Sequence, residues 1–355
     1  MSVTILQGDC RAMLPTLPAQ SVNCIVTSPP YFGLRDYGVE TQIGLEPSPS
    51  EFVEQLVIVF REARRVLRDD GTLWLNLGDS YAGSWGAQGH RITDSDDPSW
   101  HSSQIKNHPK RGKQTGTIRE AGLKPKDLIG IPWRVAFALQ ADGWFLRQDI
   151  IWSKPNPMPE SVTDRCTKAH EYLFLLSKSP RYYFDAAAIA EPLAAASVSR
   201  LAQNLDGQSG SDRVPGKTNG RMKAVAKGNR KTFRGGGVYT QGQSFDNDAS
   251  VSNDSVGNEP DERGLRNKRT VWTVATQPFK EAHFATFPPE LIEPCILAGC
   301  PKGGTVLDPF GGAGTTGLVA DRLQRDAVLI ELNPAYAEMA RKRIAADAGL
   351  FGAVA

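Results

Sequence analysis

The sequence predicts an α/β protein in which a mostly parallel sheet is covered by helices on both faces. Two observations carry that expectation. Short β-rich runs bounded by turn residues alternate along the 355-residue chain with longer apolar-periodic stretches of helical character. Near the C-terminus, residues 305–316 follow the order strand, Gly-rich turn, helix start.

Taken in order, seven strands are expected, at 3–7, 22–27, 72–77, 145–152, 172–177, 305–307 and 327–331. Helices are expected at 51–67, 132–141, 289–298, 315–323 and 335–346. The runs at 145–152 and 172–177 are joined by a Pro-rich stretch without helical pattern, so they are expected to form an antiparallel hairpin at one edge. Two stretches break the alternation. Residues 80–126 are polar and too long for an ordinary connection. Residues 196–268 include a segment, 204–255, dominated by Gly, Ser, Asn, Asp, Lys and Arg. The expected organisation is therefore a core in two parts, 1–185 (with a loop insert at about 80–126) and 269–355, separated by an insert at 186–268.

Composition excludes some classes. No run approaches the roughly 18 apolar residues of a membrane span, and residues 1–6 have neither a basic leader nor a long apolar stretch, so a cytoplasmic protein is expected. The net charge of +2 says little about partners, but Lys and Arg cluster between about 200 and 269, as on a polyanion-contacting surface or in a flexible loop. Cys10, Cys24, Cys166, Cys295 and Cys300 form no CxxC pair and have no His at zinc-finger spacing, so they read as buried reduced thiols and no metal is expected.

The run Asp308-Pro309-Phe310-Gly311-Gly312-Ala313-Gly314-Thr315-Thr316 reads as a nucleotide-type cofactor site. Glycines let a backbone approach a ligand, and free N–H groups at a helix start attract a carboxylate or phosphate. The spacing is neither the dinucleotide fingerprint nor a P-loop, which disfavours a pyrophosphate. The next strand ends in Ile330-Glu331-Leu332-Asn333-Pro334, and an acid there suits a ribose diol. At the other end of the chain, strand 22–27 runs into Thr27-Ser28-Pro29-Pro30-Tyr31. Consecutive prolines fix a turn whose carbonyls are not consumed by a following ladder. Ser28 Oγ and the Pro29 carbonyl can accept hydrogen bonds from an amino group, and the Tyr31 ring offers a face for stacking.

Together, these two motifs resemble those of the DNA amino-methyltransferases, whose catalytic motif is (Ser/Asn/Asp)-Pro-Pro-(Tyr/Phe/Trp) and whose cofactor motif is Asp-Pro-Phe-x-Gly-x-Gly-Thr. Here the catalytic motif comes first, the circularly permuted order of the β class. The resemblance implies a Rossmann-like methyltransferase fold with a permuted, seven-stranded mixed sheet containing one antiparallel strand, S-adenosylmethionine (SAM) as methyl donor, and double-stranded DNA as substrate. It implies a cofactor pocket lined by Asp308, Phe310, Gly311 and Gly314, with Thr27, Pro309 and Asn333 beside them. Asp9 would meet the cofactor's adenine and Glu331 its ribose. Thr286 and Phe287 belong to a segment resembling the one that contacts the methionine end, while Thr315 and Thr316 sit where a carboxylate is well placed. The insert at 186–268 takes the place of the target-recognition region and is expected to order on DNA.

The chemistry suits those residues. The lone pair of an exocyclic amine is delocalised into the ring, and two acceptors gripping its N–H hydrogens would localise it on nitrogen. The base must leave the duplex, and stacking on Tyr31 offsets part of that cost. Transfer is then a direct displacement governed by positioning. Many adenine-N6 enzymes of this class carry Asp where this chain has Ser28, a form associated with cytosine-N4 enzymes; cytosine is favoured, and adenine N6 stays open. An RNA or protein acceptor, or a non-catalytic DNA-binding protein with a degenerate cofactor site, are the competing readings. The residues are compatible with a cognate restriction endonuclease in the same system, a phage self-protection role or an orphan role, and with a monomer or a homodimer.

Overall fold

In the computed structural model the described residues are 1–33, 39, 41–82, 122–124, 126–194, 265–277, 287–348 and 353–354. The expected segment at 204–255 and most of the loop at 80–126 lie outside them. The chain divides into two compact units, Met1–Ala188 with Arg269–Ala355, and Ile189–Lys268.

The first unit is built on a nine-stranded sheet. Its strands are β1 (Ser2–Gln7), β2 (Val22–Thr27), β3 (Leu67–Leu77), β4 (Phe145–Ser153), β5 (His170–Ser177), β8 (Val271–Thr273), β9 (Thr305–Asp308), β10 (Asp326–Glu331) and β11 (Ala353–Val354), in the order β11-β1-β10-β9-β2-β3-β5-β4-β8. All seven expected strands are present, and two short ones at the sheet margins, β8 and β11, were not expected. In the second unit, β6 (Glu191–Pro192) pairs antiparallel with β7 (Leu265–Arg266), with Arg266 Nε 3.1 Å from Glu191 Oε1.

Every pairing in the main sheet is parallel except the two made by β5. The expected hairpin of β4 and β5 is there, running from Phe145↔Ser177 to Ser153↔His170, but β8 pairs outside it, so β4 is not the edge. The central strands are buried on both faces, as parallel sheets require: Leu73, Trp74, Leu75, Val306, Leu307 and Leu329 are all buried.

Among the described residues the α-helices are α1 (Cys10–Met13), α2 (Pro49–Val66), α3 (Ile131–Ala141), α4 (Pro289–Gly299), α5 (Thr315–Arg322) and α6 (Pro334–Ala348). The start of α2 lies two residues before the expected one because Ser48 Oγ accepts from Glu51 N at 3.2 Å and Pro49 takes the first helical position, where its missing N–H costs nothing. Its buried face, Phe52, Leu56, Val59, Phe60, Ala63 and Val66, has helical spacing and joins the main core cluster. The start of α3 is held from the sheet, since Asp79 Oδ1 accepts from both Gly130 N and Ile131 N at 3.0 Å. The one-turn α1 was missed; it follows β1 directly, with Asp9 as its cap.

Parallel pairing brings the carboxyl ends of β1, β10, β9, β2 and β3 to one edge of the sheet, and the antiparallel β5 brings its amino end there. The order also reverses at β9–β2: β9 pairs on one side with β10, the next strand in the chain, whereas β2 pairs on its other side with β3. A crevice opens at such a switch point.

Candidate active site

The cleft at that edge is lined from both halves of the chain, among others by Asp9, Ser28, Pro29, Pro30 and Tyr31 from the N-terminal part and by Phe287, Asp308, Pro309, Phe310, Gly311, Thr315, Glu331 and Asn333 from the C-terminal part. Thr286 lies outside the described residues. Thr27, Gly314 and Thr316 do not line the cleft. They stand behind it, and what they do there differs from the expectation.

Asp308, at the end of β9, is 2 % exposed and has no cation beside it among the described residues. Its carboxylate instead accepts from Thr27 Oγ1 at 2.5 Å, Thr316 Oγ1 at 2.6 Å and Phe310 N at 3.0 Å. Burial pushes this carboxyl up to about 6, against the pull of those three donors. Thr27 and Thr316 are fully buried, so their hydroxyls serve Asp308 rather than a ligand. The first of these hydrogen bonds ties Thr27, the residue before Ser28, to the cofactor turn.

Glu331, at the end of β10, accepts from Gly312 N at 2.7 Å and from Asn333 N at 2.8 Å, one bond to each carboxylate oxygen. The acid expected to meet a ribose is therefore pre-oriented in the cleft by backbone amides, and burial raises its pKa despite them. The glycines of the turn also have protein neighbours. Gly314 has a φ of +76°, and a Cβ there would stand 2.8 Å from Ala340 Cβ; one on Gly311 would stand 3.1 Å from Leu329 Cβ. Gly314 is thus held to glycine by its positive φ and the passage of α6, while Gly311, which lines the cleft, packs closely on β10. Thr315 lines the cleft with its Oγ1 accepting from Arg343 Nη1 at 2.9 Å.

Asp9 caps α1, and its carboxylate is engaged by Arg11 through the backbone N at 2.9 Å, Nε at 3.0 Å and Nη2 at 2.5 Å. Burial raises its pKa, but the Arg11 hydrogen bonds outweigh that and hold it below the ordinary range. Arg11 also reaches the Thr41 carbonyl and Gln55, so the acid expected at the cofactor's adenine is braced from the side.

At the other end of the cleft the Ser28-Pro29-Pro30-Tyr31 turn meets residues that sequence reasoning missed. The Tyr31 phenol lies 2.6 Å from Glu171 Oε2, 3.2 Å from Asn76 Oδ1 and 3.5 Å from Ser28 Oγ. Glu171 Oε1 forms an ion pair with Lys154 Nζ, their side chains only 14 % and 17 % exposed, and Lys154 Nζ also sits 4.2 Å from the centre of the Trp152 ring. The Tyr31 ring packs closely on β3's end, where a Cβ on Gly78 would come within 2.5 Å of Tyr31 Cε2. One signal for these residues was present. Asn76 interrupts an otherwise apolar run in a buried strand, and the register of the expected hairpin sets Lys154 next to the Ser153↔His170 pair and thus near Glu171.

Four of the five cysteines are buried free thiols, with Cys10 and Cys300 pushed up to about 12 chiefly by burial; Cys166 is exposed, contrary to expectation. Among the described residues no helix is long and apolar enough to cross a membrane, and no group of three His, Cys, Asp or Glu side chains is placed to hold a metal ion.

The switch-point cleft joins the Ser28-Pro29-Pro30-Tyr31 turn to a Gly-rich, acid-flanked turn. Residues 22–342 match the N6/N4 DNA methylase model, and the chain belongs to that family. Its relatives include the Type II methyltransferases M.Cfr9I of Citrobacter freundii, 45 % identical over 96 % of this chain and 87 % of that protein, and M.SmaI of Serratia marcescens, 40 % identical over 97 % and 91 %. Among solved structures, the cytosine-N4-specific PvuII DNA methyltransferase shares the fold with a TM-score of 0.55 at 16 % identity, covering 96 % of this chain and 86 % of that one. A protein assigned as a DNA modification methylase from Thermus thermophilus, solved with S-adenosyl-L-methionine, shares it with a TM-score of 0.53 at 19 % identity over 99 % of each chain.

Proposed function

We propose that this DNA methyltransferase is site-specific and transfers a methyl group from SAM to the exocyclic N4 of cytosine in double-stranded DNA, acting on a base flipped out of the duplex. The observation that carries the reading is the placement of Ser28, Pro29 and Tyr31 in the same cleft as Glu331.

The residues present fit SAM. Glu331, its two oxygens set by amides, suits the ribose diol, and Asp9 suits the adenine amine, while Pro309, Phe310 and Phe287 offer apolar walls. When bound, SAM supplies an electrophilic methyl group. Ser28 Oγ and the Pro29 carbonyl accept the two N–H hydrogens of the target amine, which returns its lone pair to nitrogen, and Tyr31 stacks on the extruded base. No covalent enzyme intermediate is needed, and none of the cleft's lining residues is a low-pKa thiol, Cys10 being pushed up to about 12.

Residues 186–268, between the two parts of the core, are assigned to target recognition, their Lys and Arg to phosphate contacts that set the register on DNA. Relatives named Type II methyltransferases support a role in a restriction–modification system, where we place the protein beside a cognate restriction endonuclease in the cytoplasm. The test is to incubate the protein with unmethylated plasmid and labelled SAM, digest the DNA to nucleosides and identify the product by mass spectrometry. N4-methylcytosine is expected. N6-methyladenine would overturn the inference from Ser28 and keep the mechanism, and no methylated nucleoside would overturn both.

A further inference from the structure

A serine can act as an acceptor towards an amine only if its own proton points elsewhere. A freely rotating hydroxyl can instead donate to the amine's lone pair, which blocks the electrons that must attack. Something in the site has to fix the direction of the Ser28 proton.

The polar groups behind Ser28 do this in sequence. Glu171 is ion-paired through its other oxygen with Lys154, and as a carboxylate oxygen its Oε2 is an acceptor only. Asn76 Nδ2 donates to the Tyr172 carbonyl at 3.1 Å and to Glu171 Oε2 at 3.2 Å, which turns its Oδ1 towards Tyr31. Among the described residues the Tyr31 phenol therefore faces two acceptors on its far side, and its single proton goes to the nearer and charged one, Glu171 at 2.6 Å rather than Asn76 at 3.2 Å. Across the 3.5 Å contact between Tyr31 and Ser28, the phenol has no proton left to give, so the Ser28 hydroxyl donates and Tyr31 accepts. The lone pairs of Ser28 Oγ are then left for the substrate.

We propose that Glu171, held by Lys154 and Asn76, is a positioning residue that acts through Tyr31 to keep Ser28 a pure acceptor towards the target amine. The assignment rests on the proposed role of Ser28 and adds to it a second task for Tyr31, whose hydroxyl sets the Ser28 proton while its ring stacks on the base.

The test is a double-mutant cycle on the full-length protein, with single-turnover methylation of cognate duplex, DNA KM and SAM affinity by calorimetry all measured. Glu171→Gln is isosteric but can place an amide donor on the phenol oxygen; it is expected to lower kcat about tenfold, the worth of one redirected hydrogen bond, with DNA KM and SAM affinity unchanged. Tyr31→Phe keeps a stacking ring but removes the acceptor for Ser28, and is expected to lower kcat by a similar factor. In the Tyr31→Phe background Glu171→Gln is expected to add nothing, since the relay is already cut. Glu171→Gln at full kcat, or with an equal effect in both backgrounds, would overturn the proposal. Should Glu171→Gln lose SAM affinity through misfolding, Tyr31→Phe decides alone, and full activity there sinks the idea. Ser28→Ala separates the two readings: if it keeps full activity, the role of Ser28 fails first, whereas a dead Ser28→Ala with an unaffected Glu171→Gln removes only the inference about Glu171.

Discussion

The two ends of the cleft are fixed by different means. At the cofactor end, Glu331 is oriented by backbone amides from its own loop and the neighbouring turn, and Asp308 by an amide two residues on and by two buried hydroxyls. At the acceptor end, Tyr31, Asn76, Lys154 and Glu171 hold one another by side chains that arrive from four different segments. The first arrangement is built from backbone amides and two fully buried hydroxyls, which the sheet and its turns fix. The second depends on strand register and can be retuned by single substitutions without disturbing the fold.

Substitutions at the two ends should therefore fail differently. The largest effect is expected at Asp308. Asp308→Ala strands the Thr27 and Thr316 hydroxyls and the Phe310 amide in a buried site, and should lower stability by about 3 kcal/mol in urea unfolding as well as weakening SAM binding. A stable variant with weakened SAM binding alone would break the comparison. The same carboxyl has a pH signature. Its pKa is raised from 3.8 to about 6 by burial, so the folded protein holds a proton that the unfolded chain has released, and its contribution to stability is present below pH 3.8 and lost as pH rises through about 6. Asp308→Asn is expected to flatten that part of the stability–pH curve, as read by thermal unfolding.

Next in size, Ser28→Ala should cut turnover about 100-fold, with SAM affinity and thermal stability unchanged, because apart from its 3.5 Å contact with the Tyr31 phenol the hydroxyl it removes serves the target amine. The smallest effect is expected at Gly78→Ala, whose new methyl must displace the Tyr31 ring by moving it from a 2.5 Å overlap; turnover should fall about tenfold, and SAM calorimetry should report no change.

The same contrast explains what could be read without coordinates. Strand runs, the Ser28 turn and the Gly-rich turn are local in sequence, and their order alone placed them at strand ends. What Thr27, Thr316 and Gly314 do was not legible, because a residue type at a motif position does not say whether it faces the cleft or the core: the hydroxyl of Thr316 is turned inward to Asp308, and Gly314 is glycine because α6 passes over it. Glu171 was missed since its partner Tyr31 is 140 residues away in the chain and only the antiparallel register of β5 against β3 brings the two together. The margin strands β8 and β11, three and two residues long, are too short to leave a period.

The sheet order has a consequence for how the polypeptide can be divided. β9 and β10, from the last fifth of the chain, lie between β1 and β2, from its first tenth. A chain cut between Ala194 and Leu265 would leave an N-terminal fragment whose first strand has lost both its neighbours and a C-terminal fragment whose two central strands lack their flanks. Each piece leaves strand edges that the other covers, which makes the protein a natural scaffold for a split enzyme whose methylation reports that two separately expressed fragments have met.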